Sequence, residues 1–132
     1  MTIDLVITNA DALDARSFRA LKSLLPHERQ ERSDNYDRRV DRYTSVVVFA
    51  QLQKLWAERN HRPLPVITVG RFGKPGFSED SGLHFSWSHD SALCACVLAP
   101  MPVGVDISGP VPFEQGLFHH MAAPGERRLR GY

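Results

Sequence analysis

The apolar positions of this chain change period several times, and each change marks an element. Ile3 to Thr8 alternates in part and is rich in β-branched residues, which predicts a strand. After Asp14, a good capping residue, Phe18, Leu21 and Leu25 recur at helical spacing, so a short helix runs to about Leu24. Pro26 ends it, and His27 to Arg32 reads as the turn that follows. A long helix then runs from about Asp37 to about Glu58, where Val48, Phe49, Leu52, Leu55 and Trp56 form a wide apolar stripe. Val46-Val47-Val48 favours strand locally, but the flanking three-and-four spacing outvotes it.

His61 to Pro65 is a polar connection, and Val66 to Val69 is a short strand. Gly70 to Gly82 is turn-rich, with four glycines and one proline. Three further strands follow at Leu83–Trp87, Ala92–Leu98 and Val103–Ile107. Ser88 to Ser91 is the expected turn between the first two, and Pro100 and Pro102 frame the next. Phe113 to Met121 reads as helical, and Glu126 to Leu129 begins another helix. Short strands after a long helix predict an α+β class: a small, mainly antiparallel sheet packed on that helix. With no internal repeat and no low-complexity segment, residues 1–132 read as one domain.

Composition narrows the partners. Sixteen Lys and Arg against fifteen Asp and Glu leave a net charge of +1. Such a chain has no global field for nucleic acid or an anionic membrane, so neither is an expected partner and any anion site must be local. There is no apolar run of about 18 residues. The start, Met1-Thr2-Ile3-Asp4, lacks a signal-peptide pattern, which points to a cytoplasmic protein. Cys94 and Cys96 lie two apart in an apolar strand and so share one face, beside Ala92 and Leu98. They read as reduced core thiols rather than as a disulfide or metal pair.

The candidate chemistry lies between Gly73 and Ser108. Asp106 closes an apolar strand beside Gly104; such a carboxylate either holds a hard metal ion or closes a turn. Ser108 shares its face and offers a hydroxyl. Ser88-His89 follows a strand; the imidazole either donates to an anion or simply faces water. Phe85 and Trp87, alternating with Ser86 and Ser88, read as core residues. Lys74, between Gly73 and Pro75, sits where backbone can bend round a nucleotide or merely turn. Arg29, Arg32, Arg38, Arg39 and Arg42 interleave with Glu28, Glu31, Asp34, Asp37 and Asp41, which is mostly a solvated, self-paired face. One or two of these arginines are still available to a phosphate.

Taken in order, these segments resemble the 4'-phosphopantetheinyl transferase superfamily of the surfactin-synthetase type. Gly73-Lys74-Pro75, followed by Phe77, is similar to that family's first nucleotide-site motif. Phe85-Ser86-Trp87-Ser88-His89 is similar to its F-N/S-x-S-H strand, and Val103-Gly104-Val105-Asp106-Ile107 to its V-G-V/I-D-I/V metal motif. Leu25-Pro26-His27-Glu28-Arg29 and Asp41-Arg42-Tyr43 resemble its basic segment and the start of its long helix. Phe118 to Leu129, with Glu126, resembles the stretch that follows, so the likeness covers nearly the whole chain.

The resemblance implies magnesium-dependent transfer of 4'-phosphopantetheine from coenzyme A to a serine of an acyl or peptidyl carrier protein, as in holo-acyl-carrier-protein synthases. It implies that Gly73, Lys74 and Pro75 border the adenine, and that Ser88 and His89 contact phosphates. Arg42 would meet the 3'-phosphate, and Asp106 would ligate magnesium. Asp106 and His89 are the implied catalytic residues, and the three segments are expected to converge on one magnesium-bound diphosphate. Family members often carry an acidic residue where this chain has Ser108. They are pseudo-dimers whose second half supplies a W-x-x-K-E motif. Lys22, Lys54 and Lys74 are the only lysines here and none precedes a Glu. The chain therefore resembles the N-terminal half, expected to work with a complementary C-terminal half or as a homo-oligomer, or else to act as a non-catalytic coenzyme A or carrier-protein binding module.

Overall fold

The computed structural model describes residues 2–108 and the backbone of residues 118–122. Strand β1 (Asp4–Asn9) leads through a short 3-10 turn at Ala10–Ala12 into α1 (Ala15–Ser23). Asp14 starts α1 by accepting the Ser17 backbone N–H at 2.7 Å, which satisfies one of the free donors of the first turn. That bond holds the Asp14 carboxyl below the usual carboxylate pKa. Pro26 then opens a second helix, α2 (His27–Asp34), where a turn was expected. The Pro26 carbonyl accepts the N–H groups of Arg29 and Gln30, so the proline serves as a first-turn residue rather than a break.

Helix α3 (Arg39–Arg59) is the long helix of the pattern, and Val46, Val47 and Val48 lie buried within it. Burial against the sheet outweighs the modest helix cost of three β-branched residues. A hairpin follows, β2 (Ile67–Val69) with β3 (Pro75–Phe77), inside the region read as turns. Gly73, at φ +81, supplies the left-handed step that returns the chain. Next come β4 (His84–Asp90), β5 (Leu93–Ala99), β6 (Val103–Ile107) and β7 (Phe118–Ala122).

The main sheet has the order β1-β5-β4, antiparallel throughout. Its central strand, β5, is buried on both faces. Cys94, Cys96 and Leu98 pack beneath α3 with Val46, Leu52 and Leu55, whereas Ala95, Val97 and Ala99 pack beneath Val103, Val105 and Ile107 of β6. The molecule is therefore layered: helices, sheet, then the β6–β7 hairpin. This is the expected α+β class with a small antiparallel sheet on a long helix. Both cysteines are free and buried, as their shared face foretold.

Two expectations need correction. β4 does not stop at Trp87 but continues to Asp90. The turn is confined to Ser91 and Ala92, with Ser91 at φ 53. The helix expected over 113–121 is overturned where the structure describes it: 118–122 is a strand whose backbone pairs with β6, with Asp106 opposite His119. Backbone pairing with β6 outweighs the local helical spacing there. The helix expected from Glu126 lies outside the described residues. Among the described residues, no helix is long and apolar enough to cross a membrane.

Candidate functional site

Two serines of β4 take the place of backbone acceptors for β6. The Val105 N–H donates to Ser86 Oγ and the Ile107 N–H to Ser88 Oγ, each at 3.2 Å. This ladder fixes β6 over the outer face of the sheet with Val105 and Ile107 turned inward. The intervening residue, Asp106, consequently turns outward and is exposed. Its Oδ1 accepts the Ser88 hydroxyl at 3.2 Å.

The β2–β3 hairpin reaches the same place. Lys74 Nζ donates to the Val103 carbonyl at 3.0 Å, which ties the Gly73-Lys74-Pro75 turn to the start of β6. A hollow of about 390 Å³ opens between Lys74, Pro75, Gly104 and Asp106. A larger one, of about 770 Å³, adjoins it across Lys74 and Pro75 and is walled by Phe77, Leu83 and Phe85. Segments distant in sequence thus meet as expected in Lys74, Pro75, Ser88 and Asp106.

His89 departs from that group, so the expected convergence of His89 and Asp106 on one diphosphate is overturned: strand alternation puts the two on opposite faces. In the sheet register Ser88 faces Ala95, which lies under β6, whereas His89 faces Cys94, which lies under α3. The two neighbours thus open on opposite faces of an edge strand. On its own face His89 lines a cleft of about 260 Å³ with Arg29, Arg32, Tyr36, Trp87 and one carboxylate, Asp41. Arg29 is buried there, donates to the Ser45 carbonyl at 3.1 Å and lies over the rings of Phe49 and Trp87. Its Nε has no hydrogen-bond partner among the described residues. Burial lowers its pKa from the usual value, and the charge of Arg32 adds to that. The Glu28 carboxylate opposes that effect in part. An anion bound here would relieve repulsion between two guanidinium groups and satisfy an unpaired donor.

Arg42 lies outside this cleft. Its Nη1 donates to the carbonyls of Tyr36 (3.1 Å) and Asp37 (2.8 Å), so it braces the entry to α3. Interleaved Glu28, Glu31 and Asp34 kept the sequence from showing which arginines of this run are free for a phosphate. The signal that marks Arg29 and Arg32 is geometric: α2 presents a buried basic side chain toward the end of β4.

Among the described residues, Asp106 is the single carboxylate of its hollow. No group of three or more His, Cys, Asp and Glu side chains is placed to hold a metal among the described residues. A lone exposed carboxylate with one oxygen already oriented can hold a hard cation only together with oxygens that a ligand brings. Phosphate oxygens are such donors, and the residues present fit a magnesium ion on those terms alone. No protein-family model and no curated protein matches the chain.

Proposed function

We propose that this chain provides the coenzyme A-holding half of a 4'-phosphopantetheinyl transferase. The reaction moves 4'-phosphopantetheine from coenzyme A to a serine of an acyl or peptidyl carrier protein. The observation that carries this reading is the two-faced end of β4, with Asp106 and Ser88 on one side and Arg29, Arg32 and His89 on the other. Coenzyme A bears two separate anionic groups, a diphosphate and a ribose 3'-phosphate. Two seats wrapped round one strand edge suit such a ligand better than a single phosphate.

In this reading the Arg29–Arg32–His89 cleft takes the 3'-phosphate, for which paired guanidinium groups have the right shape and charge. His89 adds a donor from the facing strand. Gly73 and Pro75 border the adenine over the larger hollow. Lys74, engaged by the Val103 carbonyl, holds that hairpin against β6. Asp106 lies where the diphosphate would enter and would hold magnesium jointly with its oxygens. When bound, the ion spreads the negative charge that builds on the leaving diphosphate oxygen. The serine oxygen of the carrier bonds to the phosphorus that bears the pantetheine arm. The P–O bond of the diphosphate breaks, adenosine 3',5'-bisphosphate leaves, and the serine proton passes to solvent or a base. Positioning and charge neutralisation carry most of such a transfer. The remaining donors come from a second half or a second subunit.

That Asp106 has no second carboxylate beside it among the described residues favours one alternative, a module that binds coenzyme A or docks a carrier protein without chemistry. Mass spectrometry of an apo-carrier protein incubated with the chain, coenzyme A and Mg²⁺ separates the two. The transferase reading expects the phosphopantetheine mass to be added, and Asp106→Ala to abolish the addition. Coenzyme A binding without added mass favours the module over a transferase completed by a second copy of this chain.

A further inference from the structure

We infer that Ser88 is a positioning residue that aims the Asp106 carboxylate at its metal ion, and that it makes no contact of its own with phosphate. The inference rests on the transferase reading of the Asp106 hollow. It departs from the expectation that Ser88 and His89 act together on phosphate oxygens.

Hydrogen-bond capacity limits what Ser88 can do. A serine hydroxyl has one proton to donate and two lone pairs. Ser88 gives its proton to Asp106 Oδ1 and receives the Ile107 N–H, both at 3.2 Å. No proton remains with which to bind a phosphate oxygen, and its free lone pair would repel one. Each bond instead fixes something about Asp106. The Ile107 N–H bond sets the height of β6 on β4 one residue beyond the carboxylate. The Oδ1 bond restricts how the exposed carboxylate can turn. Partners that orient a metal-ligating group typically contribute about 10- to 100-fold to metal affinity.

Ser86 provides an internal control. Its hydroxyl anchors Val105 as Ser88 anchors Ile107, at the same 3.2 Å, but it has no bond to Asp106. Ser86 also lines the Asp106 hollow. Ser86→Ala and Ser88→Ala therefore both remove an anchor of β6, and only the second removes a hydrogen bond to the carboxylate. A purely structural role for Ser88 would make the two variants alike.

The test is Mn²⁺ binding to the full chain in the presence of coenzyme A, followed by electron paramagnetic resonance, with calorimetry of coenzyme A alone beside it. Ser88→Ala is expected to weaken Mn²⁺ affinity by about tenfold or more, without weakening metal-free binding of coenzyme A. Ser88→Thr, which keeps the hydroxyl, restores Mn²⁺ binding. Ser86→Ala keeps wild-type Mn²⁺ affinity. Unchanged Mn²⁺ affinity in Ser88→Ala, or an equal loss in Ser86→Ala, overturns the positioning role alone. A matching loss of metal-free coenzyme A binding in Ser88→Ala overturns it in favour of direct phosphate contact. Absence of coenzyme A-dependent Mn²⁺ binding in the unsubstituted chain overturns both this role and the transferase reading beneath it.

Discussion

The guanidinium of Arg29 lies 5.4 Å from the ring centroid of Trp87, so α2 places a buried cation against the same edge strand that carries His89. Among the described residues the guanidinium's hydrogen bond goes to one carbonyl and its face to two rings; Arg32 repels it, and the Glu28 carboxylate offsets that only in part. A buried charge whose anionic neighbours compensate it only in part costs stability, and a ligand anion would lower that cost. Arg29→Met is therefore expected to fold with little loss and to bind adenosine 3',5'-bisphosphate about tenfold more weakly, the scale of one charge-assisted hydrogen bond. Calorimetry with that nucleotide checks it. Equal affinities in the two proteins would remove Arg29 from the anion seat.

The Asp14 cap makes the stability of α1 depend on pH. Its carboxylate accepts the Ser17 N–H, and its folded pKa lies below the ordinary value. The stabilisation is thus complete above the unfolded value of about 3.9 and is lost as the pH falls through the folded one. Asp14→Ala should melt at a lower temperature than the parent at pH 7. The gap should close as the pH drops below about 4. A gap that stays constant with pH would show that the charge plays no part.

The thiols of Cys94 and Cys96 answer to burial. Burial pushes the Cys94 pKa up to about 12 and that of Cys96 higher still. Neither forms an appreciable amount of thiolate near neutral pH. Both should resist a disulfide reagent at pH 8 in the native chain and react at once in denaturant. Rapid reaction of the folded chain would contradict the layered packing round β5.

Leu52 is fully buried between α3 and the sheet, against Phe85, Cys96 and Leu98. Leu52→Ala leaves a cavity where the aromatic chain Trp56–Phe77–Phe85–Trp87 meets the helix. Urea unfolding should show a loss of about 2–5 kcal/mol. A loss below about 1 kcal/mol would mean that this seam is loosely packed.

Strong periodicity made α1, α3, β1, β5 and β6 legible in the sequence. Helix α2 was not, because His27–Asp34 contains no apolar residue and buries only Arg29 and Ser33. A helix held by a polar face leaves no hydrophobic period to find. Strand β3 was hidden for a different reason. Pro75-Gly76-Phe77 reads as a turn, and only its pairing with Ile67–Val69 makes it a strand. The end of β4 was misjudged because Ser88, His89 and Asp90 are common turn residues, yet Ser91 alone takes the left-handed conformation.

The candidate site was legible in part. Lys74, Ser88 and Asp106 meet as their order implied. That Ser88 and His89 would open on opposite faces follows from strand alternation once β4 is extended through Asp90. Reading those residues as a turn concealed it. The pairing of His89 with Arg29 and Arg32 needed the docking of α2 on α3, which no local pattern encodes.

The account turns on two anion seats occupied by one ligand. Isothermal titration of the chain with coenzyme A and with 3'-dephospho-coenzyme A, each with and without Mg²⁺, tests it most directly. The account predicts coenzyme A binding about tenfold tighter or more than the dephospho form, and tightened by Mg²⁺ only while Asp106 is intact. Equal affinity for the two ligands, or no effect of Mg²⁺ on either, would contradict it.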